Sequence, residues 1–165
     1  MTFDILQDFT AKHLKTLLYS SLKTHKGDTM TIVGFNYTKM LAEKSLAAKG
    51  KVNITSNLSI KEVEEASFVM GTEKQDSLKF NFQFETIFAP EFGKINLDGS
   101  VIYLDTKEKV QETLKTWKKT KKLPKDVMQE VVNSVLNRCN VQALIMSRDM
   151  NMPSPIPLPK VSIEA

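Results

Sequence analysis

Residues 78–88 read Leu-Lys-Phe-Asn-Phe-Gln-Phe-Glu-Thr-Ile-Phe, and in the first seven of these positions apolar and polar side chains alternate. A period of two places all the apolar side chains on one face of a β-strand. The same alternation runs through Lys51–Phe68, with a slip near Val63 that is typical of a β-bulge. It returns in Ile95–Tyr103, after the turn signals of Ala89–Gly93. We therefore predict an antiparallel meander over residues 51–105 that has one apolar face.

The segment before this sheet has the composition of helices. Apolar residues of Phe3–Leu22 recur at spacings of three and four, which predicts an amphipathic helix. Thr38–Lys49 is rich in alanine, leucine and lysine and is followed by Gly50, a pattern that predicts a second helix with a glycine stop. The short apolar run Met30–Val33 fits either a strand or a connector. Residues 1–50 are therefore interpreted as an N-terminal helical extension.

Two further helices are predicted after the sheet. Val110, Leu114 and Trp117 lie on one narrow stripe behind Thr106, a residue type that caps helices. Pro124 is well placed at the first turn of a longer helix that reaches about residue 149. The whole chain, residues 1–165, is thus predicted to be one α+β domain. Its parts are the extension (1–50), the sheet (51–105), the helices (106–150) and a proline-rich strip (151–165).

The proline-rich strip combines stiffness with apolar side chains. Met152–Val161 holds prolines at alternate positions from 153 to 159, so the backbone is extended and cannot form a helix. Ile156, Leu158 and Val161 are apolar, which a solvated linker does not need. We expect the strip to press against a hydrophobic surface, where it either covers the core or lines a groove.

Composition narrows the class of protein. The chain has 165 residues, 41% of them hydrophobic and 25% charged, with a net charge of +4, as in an ordinary single globular domain. The single cysteine, Cys139, excludes an internal disulfide and a zinc site built from cysteines. No apolar run approaches the ~18 residues of a membrane span, and the start of the sequence does not resemble a signal peptide. We expect a cytoplasmic protein that does not insert into membranes.

No combination of residues indicates catalysis. His13 and His25 have no partner at metal-binding spacing, and the acidic run Glu62–Glu65 lacks a second set of ligands. Asp98–Ser100 is better explained as a glycine kink or bulge in a strand, and Cys139 as a buried, unreactive thiol. The sequence therefore predicts a protein that is not an enzyme, binds no metal and needs no cofactor.

A run of lysines surrounds Trp117 without an intervening acid. One interpretation is a nucleic-acid or partner-docking surface, and the other, which we favour, is the solvated face of a helix with a basic C-terminus. Aromatic residues interleave poorly with these lysines, so nucleic acid is disfavoured. We call this set the basic patch; its members are Lys115, Lys118, Lys119, Lys121, Lys122 and Lys125.

Three stretches resemble the SecB-type protein-export chaperones and their archaeal and toxin–antitoxin-associated relatives. Asn96–Tyr103 is similar to a family strand with a central glycine, Val131–Arg138 to the first long helix, and Met152–Val161 to the proline-punctuated segment after it. The likeness extends over about residues 51–161. The chain differs from the family in its first fifty residues, in the helix at 107–122 where the family has a crossover loop, and in lacking an acidic C-terminal tail.

The resemblance implies a holdase, a chaperone that binds unfolded client polypeptides along hydrophobic grooves and catalyses no reaction. It also implies a homo-oligomer with a role in protein transport. We expect self-association either through an exposed edge of the long strand Leu78–Phe88 or through the lysine-flanked face of the helix that holds Trp117. The alternative is a nucleic-acid-binding or partner-docking adaptor that uses the basic patch. The residues expected to line the client groove are Trp117, Met146, Met150, Met152, Ile156 and Leu158.

Overall fold

The computed structural model describes residues 31–45, 50–70 and 73–159. These residues form an antiparallel sheet followed by two helices, which confirms the α+β class. The strands are β1 (Thr31–Lys44), β2 (Asn53–Met70), β3 (Glu73–Ala89) and β4 (Gly93–Leu104). The helices are α1 (Lys107–Thr120) and α2 (Lys125–Asp149).

The four strands are arranged in the order β1-β4-β3-β2, and all neighbours are antiparallel. Strands β2, β3 and β4 form the predicted meander, and the slip seen near Val63 is a bulge between Ile60 and Glu62. The expectation that Leu78–Phe88 leaves an exposed edge is wrong, because β3 is paired on both sides. The edges of the sheet are β1 and β2.

Strand β1 corrects the prediction of a helix at Thr38–Lys49. Thr38–Lys44 belongs to β1 and pairs with β4, while residues 46–49 lie outside the described ranges. Two register shifts, after Ile32 and after Tyr37, break the alternation of side chains in β1. Because each bulge moves the following residues to the other face, no period of two can be read in the sequence. The predicted helix at Phe3–Leu22 also lies outside the described residues.

The core lies on one face of the sheet, beneath both helices. Phe80 and Phe84 of β3 are completely buried and Phe82 nearly so, which confirms that this alternating stretch faces the interior. Both helices cover this face: α1 packs on β2 and β3, and α2 packs on β4 and β1. The buried stripe of α1 contains Val110, Leu114 and Trp117, as predicted.

Gly99 in the middle of β4 lets an aromatic side chain cross the sheet surface. It pairs with Phe82 of β3 on one side and Tyr37 of β1 on the other. A Cβ atom at position 99 would lie 2.6 Å from Cζ of Phe82 and would collide with the carbonyl oxygen of Asn36. Without that Cβ, the Phe82 ring approaches Phe35 to 5.3 Å and Tyr37 to 6.4 Å between centroids. The bulge expected beside Gly99 is present, but it lies in β1.

The proline-rich strip starts from the end of α2, where β1 holds the chain. Nζ of Lys44 donates hydrogen bonds to the carbonyl oxygens of Met150 at 3.0 Å and Asn151 at 2.8 Å. Met152 is buried, and its amide donates to the Ser147 carbonyl at 2.8 Å. Residues 153–159 form neither helix nor strand, as the prolines predict. The strip therefore begins in the core and runs outward from it.

Replacing Gly99 should destabilise the fold through Phe82. Gly99→Ala forces the aromatic ring or β1 to move, so we expect the free energy of unfolding to fall by about 1–3 kcal/mol. Urea denaturation followed by circular dichroism measures this. The matched control Thr55→Ala, at an exposed position of β2, should cost less than about 1 kcal/mol. Phe82→Leu should cost less in the Gly99→Ala background than in the wild type; equal costs in both backgrounds would contradict the proposed contact.

Glu130 of α2 should make stability depend on pH. Burial, with repulsion from Asp105, raises the pKa of the Glu130 carboxyl. The folded protein therefore favours the protonated form of Glu130. The stability that this form contributes is present below the pKa of the unfolded chain, about 4, and is lost as pH rises through the pKa in the folded protein. Glu130→Gln should stabilise the protein at pH 7 by a few tenths of a kcal/mol, about the size of partly screened interactions. Thermal unfolding of Glu130→Gln and of the wild type at pH 4 and pH 7 tests this. The same difference in stability between the two proteins at both pH values would contradict it.

Candidate functional site

A cavity of about 560 Å³ opens between the two helices above edge strand β2. We call it the α1–α2 groove. Its apolar walls come from the middle of β2, the end of α1, the connection after it and the first turns of α2. Its rim is basic. The lining residues are Leu58, Ile60, Trp117, Lys121, Lys122, Leu123, Lys125, Met128 and Val132.

The groove exists because the helices cover different pairs of strands. Leu58 and Ile60 belong to the core face of β2, yet both remain partly exposed between the helices. Met128 and Val132 lie one turn apart on α2 beside the groove. The exposed fraction of Met128 is 50%. The buried stripe of α2 instead follows Val127, Val131, Val135, Cys139 and Ala143.

Trp117 and Lys121 form one wall of the groove together. The indole is only 7% exposed, and Nζ of Lys121 lies 5.4 Å from its ring centroid. Lys121 ends α1 in the left-handed conformation, with φ at 54°, and its amide donates to the Trp117 carbonyl at 2.9 Å. An ammonium above an aromatic face is an attractive pair. The same residue therefore closes the helix and holds a positive charge at the mouth of the groove.

The basic patch and the groove meet at one place. Lys121, Lys122 and Lys125 line the rim, while the other three lysines are exposed on α1 and do not line it. Within the described residues, no ion pair joins any of the six to a carboxylate. Sequence reasoning treated the lysines and the apolar site as competing interpretations. The structure places both in one site.

A second cavity, of about 530 Å³, lies where the proline-rich strip meets β2. We call it the strip cavity; it is lined by Ile54 and by residues 154–158. Ile156 and Leu158, both predicted site residues, are among them, and Leu158 is 51% exposed. Ile54 points to the same face of β2 as Leu58 and Ile60. From Ile54 to Ile60 the strand rises roughly 20 Å, so one edge strand serves both cavities.

The other predicted site residues lie elsewhere. Met146 and Met150 pack against the core from the end of α2, and Met152 is part of the core. None of the three lines the α1–α2 groove or the strip cavity. Of the six residues predicted for a client groove, the structure thus places Trp117 in one cavity and Ile156 and Leu158 in the other. Their binding role stays a prediction.

Cys139 is a buried thiol. Burial raises the pKa of the Cys139 thiol to about 11, which keeps it protonated near neutral pH. A cavity of about 530 Å³ at the end of β3 includes Glu43 and Lys94 in its lining, and these two residues pair with each other at 2.8 Å.

In residues 31–45, 50–70 and 73–159, no cluster of three metal-ligating side chains is found. Neither helix of this part of the chain is long and apolar enough to cross a membrane. His13 and His25 lie outside it.

Comparison with known proteins gives a distant likeness in fold. No protein-family model matches the sequence, and no curated protein matches it. Among solved structures, the fold is similar to the SecB-like chaperone Rv1957 of Mycobacterium tuberculosis, in complex with a ChAD peptide from the antitoxin HigA1 (Rv1956). The TM-score is 0.46 at 12% identity, over 82% of this chain and 93% of that chain. A likeness this remote carries no function across.

Met128 of the groove should be dispensable for stability, unlike the buried residues of the same helix. Met128→Gln should change the free energy of unfolding by no more than about 0.5 kcal/mol, because its side chain is already half in water. Val131→Ala, at a fully buried position three residues further along the helix, should cost about 1.5–3 kcal/mol. Urea denaturation of the two variants measures this. Equal losses would mean that Met128 is a core residue.

Proposed function

We propose that this protein is a holdase that binds extended, apolar segments of unfolded client polypeptides along β2 and catalyses no reaction. The observation that carries the proposal is the α1–α2 groove, an apolar cavity in which Met128 is half exposed beside Trp117. Exposed apolar concavities of this kind mark binding surfaces. The strip cavity lies on the same face of β2. Together the two cavities form an apolar surface along β2 that is long enough for a short extended peptide.

The lining residues suit clients of varied sequence. Methionine is flexible and polarisable, and tryptophan offers a broad apolar face, so the walls can adapt to different side chains. A fully buried aliphatic or aromatic side chain contributes about 1.5–3 kcal/mol. Two or three such anchors must offset the cost of ordering the client, which leaves a modest net affinity. Reversible binding of that strength is what holding an unfolded chain requires.

The nucleic-acid alternative has less support. Binding of single strands uses exposed aromatic faces on which bases stack. The aromatic ring within the basic patch is Trp117, which is nearly buried and already has the Lys121 ammonium near its ring. The lysines can contact phosphates, but the described residues place no exposed aromatic ring beside them on which bases could stack. The apolar walls of the groove offer no group that binds a phosphate.

The other parts of the proposal follow from the holdase function. Clients are unfolded polypeptides, and a role in protein transport from a cytoplasmic location belongs to the same hypothesis. Self-association also stays a prediction. If it occurs through strand pairing, it must use β1 or β2, since these are the edges of the sheet.

Client binding should depend on the groove and tolerate salt. The double variant Met128→Gln/Val132→Asn places polar groups on the apolar wall, so we expect affinity for an unfolded client to fall about tenfold or more. Trp117 fluorescence reports binding, and light scattering reports protection of the client from aggregation. Because apolar burial carries the affinity, raising the salt to about 0.5 M should weaken wild-type binding only slightly.

The matched control is Val141→Gln. Val141 is another exposed apolar residue of α2, with an exposed fraction of 58%, and it does not line the groove. This variant should bind and protect the client as the wild type does. If wild-type protein neither binds the client nor protects it, or if the two variants lose affinity equally, the proposed function is wrong.

A further inference from the structure

The α1–α2 groove has apolar walls and a rim charged with one sign only. Lys121, Lys122 and Lys125 line it, and no carboxylate does. The nearest acid in sequence, Asp126, has an oxygen 3.8 Å from Nζ of Lys109. We infer that the groove selects client segments in which an apolar anchor is flanked by aspartate or glutamate. This inference rests on the proposed function and names the client class that the site prefers.

The backbone at the rim adds to the positive charge. Helix α2 begins at Lys125 after Pro124, and no side chain caps its first turn. The carboxylate in that turn, Asp126, is paired with Lys109. The free amide groups of a first turn and the helix dipole give this end a partial positive charge. Three ammonium groups and this helix end thus lie within the five residues 121–125. A carboxylate on a client meets attraction from all of them, and a lysine or arginine meets repulsion.

The conformation of Lys121 brings its side chain to the groove. A left-handed residue at the end of a helix is usually glycine, because any Cβ makes this conformation costly. Lysine at this position bears that cost and sets its ammonium above Trp117, at the groove. A lysine needed only for solubility could stand at any exposed position of α1. The solvated-face interpretation explains Lys115, Lys118 and Lys119, which lie outside the groove, but not Lys121.

The arrangement of walls and rim specifies how a client lies. Leu58, Ile60 and Val132 form apolar walls that accept a large aliphatic or aromatic side chain. In an extended client, the residues two positions before and after that anchor point to the same side. Carboxylates at those positions come within reach of lysine side chains at the rim, while the anchor stays buried.

Three synthetic peptides of equal length test the preference. Each carries the same Leu-Phe-Leu anchor, flanked on both sides by glutamate, glutamine or lysine. Titration against the full chain at about 0.15 M salt, where charges act over about 8 Å, is read by Trp117 fluorescence. We expect the glutamate peptide to bind about three- to tenfold more tightly than the glutamine peptide, as for a few exposed ion pairs. The lysine peptide should bind most weakly.

Two variants with the same change in charge locate the effect. In Lys121→Gln/Lys122→Gln/Lys125→Gln, the ratio of the affinities for the glutamate and glutamine peptides should fall to about one. In Lys115→Gln/Lys118→Gln/Lys119→Gln, most of the advantage should remain. Circular dichroism checks that both variants are folded.

The outcomes separate this inference from the proposed function. If all three peptides bind equally well, the charge preference is wrong and the holdase proposal stands. If no peptide binds, the proposed function fails. If only a random oligonucleotide binds, with affinity that falls steeply as salt rises, the site belongs to nucleic acid and both proposals fail. Loss of the preference in both triple variants alike would assign it to overall charge and overturn the role of the rim.

Discussion

The contact that the rest of the structure depends on is that of the Phe82 ring with Phe35 and Tyr37 across Gly99. It joins β3 to β1 over the top of β4, so that β1 is held by side chains as well as by its ladder. Helix α2 then packs on β1 and β4, and the Arg138 guanidinium lies 4.8 Å from the Phe35 centroid. Because α2 is drawn to that side of the sheet, α1 alone covers the β2 side. The groove above β2 is the space left between them.

The groove leaves apolar surface in water, which a fold normally avoids. Met128 and Val132 could be covered only if α2 moved toward β2. That movement would expose Val131 and Val135, which are fully buried on the side of α2 that faces the sheet. A helix has one stripe to bury, and its position over β1 and β4 already uses it. The lysines at the rim keep the exposed patch soluble and separate it from other apolar surfaces. Burial in the core and exposure at the groove thus follow from one placement of α2.

Periodicity was sufficient for most elements of the fold but not for β1. The strict alternation in β3 and the stripe of α1 made these elements predictable, because each keeps its period over its whole length. In β1, two bulges shift the alternation after Ile32 and after Tyr37, and the remaining residues are good helix formers. Pairing with β4 overrides that local preference, since tertiary contacts outweigh intrinsic propensity. The pairing of β1 with β4 cannot be detected from the periodicity of the β1 segment alone.

The site was predictable in its residue types rather than in its positions. Trp117, Ile156 and Leu158 were expected in a groove because the family resemblance implied one and these side chains are apolar or aromatic. Leu58, Ile60, Met128 and Val132 could not be assigned, because their exposure depends on where the helices cross the sheet. The meeting of lysines and apolar walls depends on the turn at residues 121–124, where Lys121 reverses the chain. Such a turn follows from backbone conformation at one residue, which composition does not reveal.

The basic rim and the apolar walls of the α1–α2 groove would act on different steps of binding. In the proposed function, exposed lysines would attract an acidic segment over the distance of a Debye length and raise the rate of encounter, whereas burial of the anchor against Trp117 and Ile60 would govern how long it stays. Neither part gives a holdase by itself. Charge alone would bind any polyanion, and an apolar groove alone would bind any unfolded chain. A site that combines both can retain a broad set of clients and still favour those whose carboxylates lie next to an apolar side chain.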